Sequence, residues 1–142
     1  MILLDTDHIS VLQHADSRAA AALQERLVGT PDPEVGTTAI TLEEQARSWL
    51  ALISRSAEAR LQVPYYARFV AGYRFFAKWR VLPFDDAAAT RFQWLRSTRV
   101  RISSSDLKIA AICLANDATL LSRNTFDFLQ VPGLRVENWL QD

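Results

Sequence analysis

The chain has 142 residues, of which 49% are hydrophobic, and its 16 basic side chains are balanced by 16 acidic ones. This length is typical of a single domain, and this content of apolar residues predicts a folded protein instead of a disordered one. Neutrality removes overall basicity as an argument for nucleic-acid binding but leaves a local patch open. The sequence shows no signal peptide, membrane-length apolar run or disulfide framework, since Cys113 is the only cysteine. We therefore expect one cytoplasmic domain over residues 1–142, with Cys113 in its core.

The N-terminal segment is an apolar run that stops at a carboxylate. Ile2–Leu4 fits a short strand buried on both faces. A chain does not bury an unpaired carboxylate, so we expect Asp5 at the carboxyl end of this strand. In α/β sheets that edge is where ligands bind. A simpler interpretation is that Asp5 or Thr6 only caps the helix that follows.

The rest of the chain alternates between helical and extended patterns. Helices are predicted at Ser17–Val28, Thr41–Arg55, Ala57–Trp79 with an interruption near Pro64, Ala87–Ser97 after a cap at Asp85 or Asp86, and from Ser103–Ser105 onward. Strands are predicted at Val35–Ile40, Val81–Phe84, Thr119–Leu121 and Leu134–Val136. Thr30–Glu34 is predicted to be a loop, and Arg123–Gln130 a loop or a short helix. This alternation predicts an α/β fold with a mostly parallel central sheet flanked by helices.

Three of the predicted helices have a recognisable apolar face. In Thr41–Arg55 the face is formed by Leu42, Ala46, Trp49, Leu50 and Ile53. In the helix after the serine cluster it is formed by Leu107, Ala110, Ala111 and Leu114. In Ala57–Trp79 six aromatic residues approximate helical spacing, and we expect core packing and not base stacking of Tyr65, Tyr66, Phe69, Tyr73, Phe76 and Trp79.

Further polar residues follow the other predicted strands or open a helix. They are Glu43, Glu44, Asp106, Asn124 and Asp127. Each has a structural explanation, because Thr41-x-x-Glu44 and Ser103-x-x-Asp106 match the capping-box pattern and helix N-termini favour acids.

Gathered at one edge, the same acids would form a site. Two carboxylates about 4 Å apart repel by roughly 4 kcal/mol at an effective dielectric constant near 20. Carboxylates that share a site therefore need a bound divalent cation, or one of the carboxyl groups must have a raised pKa and stay protonated. Oxygen ligands without clustered His or Cys select Mg²⁺ or Mn²⁺, which activate water and neutralise charge on a phosphate.

The order of these segments resembles the PIN-domain ribonucleases, specifically the VapC-type toxins of bacterial toxin–antitoxin pairs. The residues that carry the resemblance are Leu3–Asp7, Thr41–Glu44, Ser105–Ala111, Ala118–Phe128, Val131–Leu134 and Glu137–Trp139. The resemblance implies a Mg²⁺- or Mn²⁺-dependent endoribonuclease that acts on RNA. It also implies a homodimer that binds a cognate antitoxin protein.

By position, Asp5, Glu44 and Asp106 match the three acids of the family and are the implied metal ligands. The fourth position is Asp in many members and is Asn124 here. Asparagine can ligate through its carbonyl oxygen or orient a water, but it brings no charge. We expect Asp127 to compensate through a water, which completes the predicted catalytic set.

Several assignments stay open at this level. Helical periodicity puts Glu43 nearer the apolar face, whereas the family register selects Glu44, and we follow the register. Asp7 is often Asn in relatives, so its charge has no assigned role. Four basic residues near Asp106 either contact RNA phosphates or are ordinary solvated surface: Arg96, Arg99, Arg101 and Lys108.

Two competing functions fit parts of the sequence. Asp5-x-Asp7 after an apolar run also resembles haloacid-dehalogenase-like phosphatases, in which the first Asp is a nucleophile, and Asp85-Asp86 can stand for their late acidic pair. However, no Ser/Thr and Lys motifs of that family follow the predicted strands in the right order. The absent fourth acid at Asn124 favours a different alternative, a PIN-like module that binds RNA or a partner without cutting.

Overall fold

The computed structural model describes residues 1–31 and 34–140 as a sheet flanked by helices. The strands are β1 Ile2–Leu4, β2 Val35–Thr38, β3 Val81–Leu82, β4 Thr119–Leu121 and β5 Arg135–Glu137. The helices are α1 Thr6–Gln13, α2 Arg18–Gly29, α3 Ala39–Ser54, α4 Ala59–Ala77, α5 Asp86–Ser97, α6 Ser104–Ala115 and α7 Thr125–Phe128. Residues 32 and 33 of the predicted Thr30–Glu34 loop lie outside the described residues.

The sheet has the strand order β3-β2-β1-β4-β5, and each neighbouring pair is parallel. The predicted α/β fold is therefore confirmed, with five parallel strands in the described part of the chain. Parallel strands need crossover connections, which the helices supply. Because all strands run the same way, their carboxyl ends meet at one edge, and the central strand β1 delivers Asp5 to the middle of it.

Each face of the sheet supports its own hydrophobic cluster. Along a strand, successive side chains point to opposite faces. Leu3 therefore packs into a cluster with α5 and α6, which also holds the buried Cys113, as predicted. Ile2 and Leu4 pack on the other face with residues of α1, α2, α3 and α4. Both clusters use β1, so the position of Asp5 is fixed from both sides.

Close approach of α3 and α4 depends on a glycine. A Cβ atom at Gly72 would lie 2.2 Å from the Trp49 indole, which no real contact allows. The indole instead packs edge-on against Phe69 with ring centroids 6.0 Å apart and lies 6.2 Å from Phe76.

Within the described residues, no helix combines the length and apolar character needed to cross a bilayer.

The strand predicted at Val35–Ile40 is shorter than expected. β2 ends at Thr38, because the Thr38 hydroxyl accepts a hydrogen bond from the Thr41 N–H at 3.2 Å and caps α3. The Thr41-x-x-Glu44 capping box is therefore wrong, since Thr41 lies inside the helix. β3 likewise ends at Leu82 instead of Phe84, because the following Pro83 has no N–H to donate to a ladder.

The predicted interruption at Pro64 is absent, and α4 continues through it. Pro64 lies in the second turn of α4, and packing along the rest of the helix keeps it continuous.

The core assignment is wrong for Tyr66 and Tyr73, which are 53% and 68% exposed, and for Leu50, at 55%. Their spacing is helical, but α3 and α4 each bury only one stripe of their surface.

Candidate active site

Asp5 lies at the carboxyl end of β1 and is both a helix cap and a buried acid. The register that pairs Leu4 with Leu121 puts the next residues, Asp5 and Ser122, side by side. One carboxylate oxygen of Asp5 accepts a hydrogen bond from the Thr6 N–H at 2.8 Å, and the other accepts from the Ser122 hydroxyl at 2.7 Å. The simpler interpretation of Asp5 as a cap is thus true, and it does not exclude a role at the edge.

Burial makes the charge on Asp5 costly. The residue is 8% exposed, and this desolvation raises the pKa of Asp5 to about 6. The hydrogen bonds from Ser122 and Thr6 oppose the rise, while the carboxylates of Asp7 and Asp106 add to it. A cation at this edge would relieve both the burial and the repulsion.

Asp106 opens α6 at the same edge. Its N–H donates to the Ser103 hydroxyl at 3.1 Å, so the predicted cap at Ser103 is present. Partial burial raises the pKa of Asp106, and the carboxylates of Glu44 and Asp127 raise it further. Asp106 therefore interacts electrostatically with acids from α3 and α7, besides Asp5 from β1.

Asn124 lies between two of these acids. Its side-chain amide nitrogen donates to Asp127 at 3.0 Å and to Asp106 at 3.4 Å. Its backbone N–H donates to the Ser122 hydroxyl at 3.0 Å. The neutral amide thus links two carboxylates that would otherwise only repel each other.

The two adjacent glutamates of α3 face different surroundings. The Thr6 hydroxyl donates to Glu44 at 2.9 Å, whereas Glu43 is exposed and pairs with Arg47 at 3.0 Å. Helical periodicity placed Glu43 nearer the apolar face, and this is wrong. The buried stripe of α3 passes through Thr41 and Gln45, which brings the intervening Glu44 beside α1. The catalytic role of Glu44 stays a prediction.

The structure adds three polar residues that sequence reasoning missed: Thr6, His8 and Ser122. Ser122 had a usable signal, because it directly follows β4 as Asp5 follows β1. The contact of Thr6 with Glu44 spans 38 residues of sequence, and no local pattern predicts it. His8 is fully buried and bonds to Asp7, which also had no assigned role.

The basic residues near Asp106 face aromatic rings or solvent. The Lys108 ammonium lies 5.9 Å from the ring centroids of both Phe84 and Phe92, and the Arg96 guanidinium lies 5.7 Å from Phe92. Arg99 and Arg101 are exposed. Their contact with RNA stays a prediction.

The alternative acidic pair, Asp85-Asp86, is not brought to the same place. It follows the edge strand β3, which β2 separates from β1. Asp85 accepts a hydrogen bond from the Ala88 N–H at 2.9 Å and is the cap of α5. The arrangement therefore removes the support that this pair lent to a phosphatase of the haloacid-dehalogenase type.

The side chains of the acidic edge have the chemistry that a hard divalent cation prefers, although they do not lie close enough together to bind one as they stand. Within residues 1–31 and 34–140, no three His, Cys, Asp or Glu side chains stand close enough to hold a metal ion. The candidate ligands are all oxygens, which is the donor set of Mg²⁺ and Mn²⁺. Burial and neighbouring carboxylates raise the pKa of Asp5 and of Asp106, and a cation would relieve both effects.

A cavity of about 680 Å³ begins at the acidic edge and runs between α1, α3 and α4. Thr6 and Glu44 line the end nearest the acids. Ser48 and Arg68 line it farther along, so it offers polar contacts and a cation beyond the carboxylates.

Solved structures with this fold include proteins of toxin–antitoxin systems. VapBC-1 from nontypeable Haemophilus influenzae matches with a TM-score of 0.73 and 23% identity over 98% of both chains. VapBC-5 from Mycobacterium tuberculosis, a member of the VapBC family of toxin–antitoxin systems, matches at 0.59 with 26% identity over 96% of this chain and 94% of that chain. Mycobacterium tuberculosis VapC20, a sarcin–ricin loop cleaving toxin, matches at 0.52 with 21% identity over 92% of this chain and 94% of that chain.

Sequence comparison agrees with the fold. No curated protein is significantly similar to the chain. The family model of the PIN domain, however, matches residues 2–134, which span every strand up to β4 and every residue of the acidic edge. A parallel sheet with acids at its carboxyl edge and a match over nearly the whole length lead to one conclusion: this chain belongs to the PIN-domain family.

Proposed function

We propose that the chain is a Mg²⁺- or Mn²⁺-dependent endoribonuclease that hydrolyses RNA phosphodiesters and acts as the toxin of a toxin–antitoxin pair. The observation that carries the proposal is the raised pKa of Asp5 and of Asp106 in a PIN-domain chain, caused by burial and by the neighbouring carboxylates of Asp7, Asp106, Glu44 and Asp127. Buried carboxylates with acidic neighbours are the groups whose charged form a divalent cation stabilises. We further propose that residues 1–142 act as one nuclease domain.

In this proposal, Asp5 and Asp106 are direct metal ligands and Glu44 is the third. Asp5 is held by Thr6 and Ser122, so it needs little rearrangement to bind. Glu44 is oriented by the Thr6 hydroxyl, which ties two proposed ligands to the start of α1. A bound cation supplies an activated water and neutralises charge that develops on the phosphate.

Asn124 and Asp127 complete the catalytic set with indirect roles. Asn124 provides a neutral amide whose nitrogen donates to both Asp106 and Asp127. Asp127 takes part through a water or by holding the amide of Asn124 in place. The set thus carries one charge fewer than in family members with an acid at the fourth position.

RNA is the substrate that the surroundings fit. The cavity that begins at Glu44 is open and lined by both polar and apolar side chains, and Arg68 offers a contact for a phosphate farther along. The structural neighbour VapC20 is a toxin that cleaves the sarcin–ricin loop, which is RNA. We therefore propose that an RNA strand passes along this cavity with its scissile phosphate at the carboxylates.

The proposed partner is a cognate antitoxin, bound to a homodimer of this chain. Structural neighbours are crystallised as toxin–antitoxin complexes. An antitoxin silences such an enzyme most directly by covering the acidic edge and placing an Arg or Lys among the carboxylates. Homodimers are the commonest symmetric assembly and are consistent with this arrangement.

The decisive experiment is an RNA cleavage assay on the purified chain. We expect cleavage of a mixed RNA substrate in Mg²⁺ or Mn²⁺, none after addition of a chelator, and recovery when metal is restored. The Asp5→Asn variant, checked for folding by circular dichroism, excludes a contaminating nuclease. Metal-independent cleavage, or no cleavage by folded protein that binds Mn²⁺, would contradict the proposal.

A second experiment separates toxin from nuclease. Expression of the chain alone in a bacterial host should slow growth, and co-expression of the small adjacent gene product should restore it. Normal growth with soluble, active enzyme would remove the toxin assignment and leave the nuclease. The neutral Asn124 favours one alternative, a PIN-like module that binds RNA or a partner without cutting. It predicts RNA binding by gel shift with no cleavage in any metal.

A further inference from the structure

The pair Asp7 and His8 connects the acidic edge to the C-terminal segment. His8 is fully buried, and its Nε2 atom accepts a hydrogen bond from the Trp139 N–H at 3.2 Å. An accepting Nε2 carries no proton, so the ring proton is on Nδ1. Nδ1 then donates to one carboxylate oxygen of Asp7 at 2.5 Å. The backbone of Trp139 thus determines that His8 presents a donor to Asp7.

The other oxygen of Asp7 holds the turn between β4 and α7. It accepts from the Arg123 N–H at 2.9 Å and lies 3.5 Å from the Ser122 hydroxyl. This turn leads directly into α7, which carries Asp127 and begins after Asn124. Asp7 therefore joins the start of α1 to the segment that bears the last two members of the proposed catalytic set.

Ser122 extends the same network to Asp5. Its hydroxyl donates to Asp5 at 2.7 Å and accepts from the Asn124 N–H at 3.0 Å. A shift of the turn would therefore change the surroundings of Asp5 and the position of Asn124 together. Partners of this kind orient ligands without touching a metal.

We infer that Asp7 is a positioning residue: by accepting from His8 and from the Arg123 backbone, it fixes the β4–α7 turn so that Asp5, Asn124 and Asp127 face Asp106. This inference rests on the proposed nuclease function. It assigns a role to the charge of Asp7 and to the buried His8, neither of which touches substrate in this scheme.

Two acceptor oxygens are required at position 7. An asparagine there has one carbonyl oxygen, whereas the His8 Nδ1–H and the Arg123 N–H both need an acceptor. If the NH2 group of the asparagine faces His8, Nδ1 must accept a hydrogen bond, so the ring proton moves to Nε2. The Nε2–H then points at the Trp139 N–H, which is also a donor. Every arrangement leaves two donors facing each other, so Asp7→Asn should loosen the turn although it barely changes side-chain size.

The first test compares Asp7→Asn with the matched control Asp117→Asn. Asp117 is an exposed carboxylate at the other end of β4, where it pairs with Arg135, and its φ of 50° is one that Asn tolerates. In metal-free protein, Asp7→Asn should speed amide hydrogen exchange at Arg123 and Asn124, and the control should not. Mn²⁺ affinity by calorimetry should fall roughly 10- to 100-fold, with KM for RNA unchanged.

The second test uses two substitutions at His8. In His8→Asn, the amide nitrogen is as many bonds from Cα as Nδ1, so the donor to Asp7 is kept. In His8→Gln, the amide group is as far from Cα as Nε2, so only the Trp139 contact is kept. Each variant loses one hydrogen bond of a buried side chain, which makes the pair a control for stability. We expect His8→Asn to keep Mn²⁺ affinity and His8→Gln to match Asp7→Asn.

The outcomes separate this inference from the proposed function. Unchanged exchange at Arg123 together with wild-type Mn²⁺ affinity in Asp7→Asn overturns the positioning role. Equal losses of affinity in His8→Asn and His8→Gln also overturn it, since that result indicates general destabilisation. If wild-type protein neither binds Mn²⁺ nor cleaves RNA, the nuclease proposal fails. The exchange data then still decide whether Asp7 holds the turn, and the His8 pair decides it if Asp7→Asn does not fold.

Discussion

The two halves of the acidic edge are built differently. In the half that contains Asp5, strand pairing places the carboxylate beside β4, and both of its oxygens accept hydrogen bonds at 2.7 to 2.8 Å. In the half that contains Asp106, the acids come from the starts of α6 and α7, and the contact of Asn124 with Asp106 is 3.4 Å long. The first half is fixed by the sheet, whereas the second depends on helix ends and turns.

This difference suggests a division of work. Asp5 directly follows a central strand that is paired on both sides, so its carboxylate is held in place and buried. Burial disfavours the charged form and raises the pKa of Asp5. Ligands at helix ends keep some exposure and freedom, so they can close on a cation. We therefore expect Asp5 to anchor the metal and the Asp106 half to complete its shell.

The largest expected effect is on catalysis by Asp5→Asn and Asp106→Asn. Each keeps the size and one carbonyl oxygen but removes the charge that holds a dication, so each should lower the cleavage rate on the order of 10²-fold or more. Cleavage of mixed RNA at fixed Mg²⁺ measures this.

The same two variants should also lose metal-induced stabilisation. At about 100 times its dissociation constant, Mn²⁺ stabilises the wild type by roughly 2.7 kcal/mol, which a melting curve detects. Near-native activity in Asp106→Asn, with Asp127→Asn inactive, would reverse our assignment of direct ligands and return Asp106 to a capping role.

The next effect is a pH dependence of stability, to which the buried Asp5 contributes strongly and Asp106 contributes in the same direction. The pKa of Asp5 is raised from 3.8 to about 6, so between these values the folded state binds more protons than the unfolded state. Stability of the metal-free protein therefore falls as pH rises through this window, by roughly 3 kcal/mol at most from this group. The gap, defined as the unfolding free energy of wild type minus that of Asp5→Asn, should therefore fall by up to this amount between pH 4 and pH 7.

Denaturant titrations in chelator at several pH values measure this gap. Asp7 works in the opposite direction: burial acts to raise its pKa, but hydrogen bonds from His8 and the Arg123 N–H outweigh burial and lower it. Asp7 thus contributes stability above its ordinary pKa that is lost on acidification. A gap that stays constant or rises with pH would mean that Asp5 is not the destabilising acid.

A smaller effect should separate the neighbouring glutamates of α3. Glu44→Gln removes the carboxylate that Thr6 orients, and we expect a loss equal to or smaller than that of Asp5→Asn. Glu43→Gln removes only an exposed pair with Arg47, which is worth about 0–1 kcal/mol, and activity should stay at the wild-type level. Cleavage rates of the two variants side by side decide between them, and a larger loss in Glu43→Gln would restore the periodicity-based choice.

The smallest effects should come from α7. Asp127→Asn should reduce cleavage less than Asp106→Asn, because Asp127 acts through a water or through Asn124. Asn124→Asp should be tolerated and should tighten Mn²⁺ binding, since it supplies a fourth charge. It should also lower the melting temperature without metal, because the amide link between Asp106 and Asp127 is lost. Weaker Mn²⁺ binding in Asn124→Asp would show that the neutral amide is itself required.

The sequence alone determined the α/β class, the parallel sheet and most helix positions, because apolar periodicity and capping residues act over a few neighbouring positions. Thr119–Leu121 was predicted with its observed bounds, and the caps at Asp85 and Ser103 were among those expected. The family resemblance then singled out Asp5, Glu44 and Asp106, and their roles stay proposals.

Tertiary structure decided what no local pattern encodes. The buried stripe of α3 runs through Thr41, Gln45 and Trp49, and this turns Glu44, and not Glu43, toward α1. The exposure of Tyr66 and Tyr73 followed from which stripe of α4 meets α3. The hydrogen bonds from the Trp139 N–H to His8 and from the Arg123 N–H to Asp7 join positions 131 and 116 residues apart, and only the packing of both chain ends against β1 brings them together.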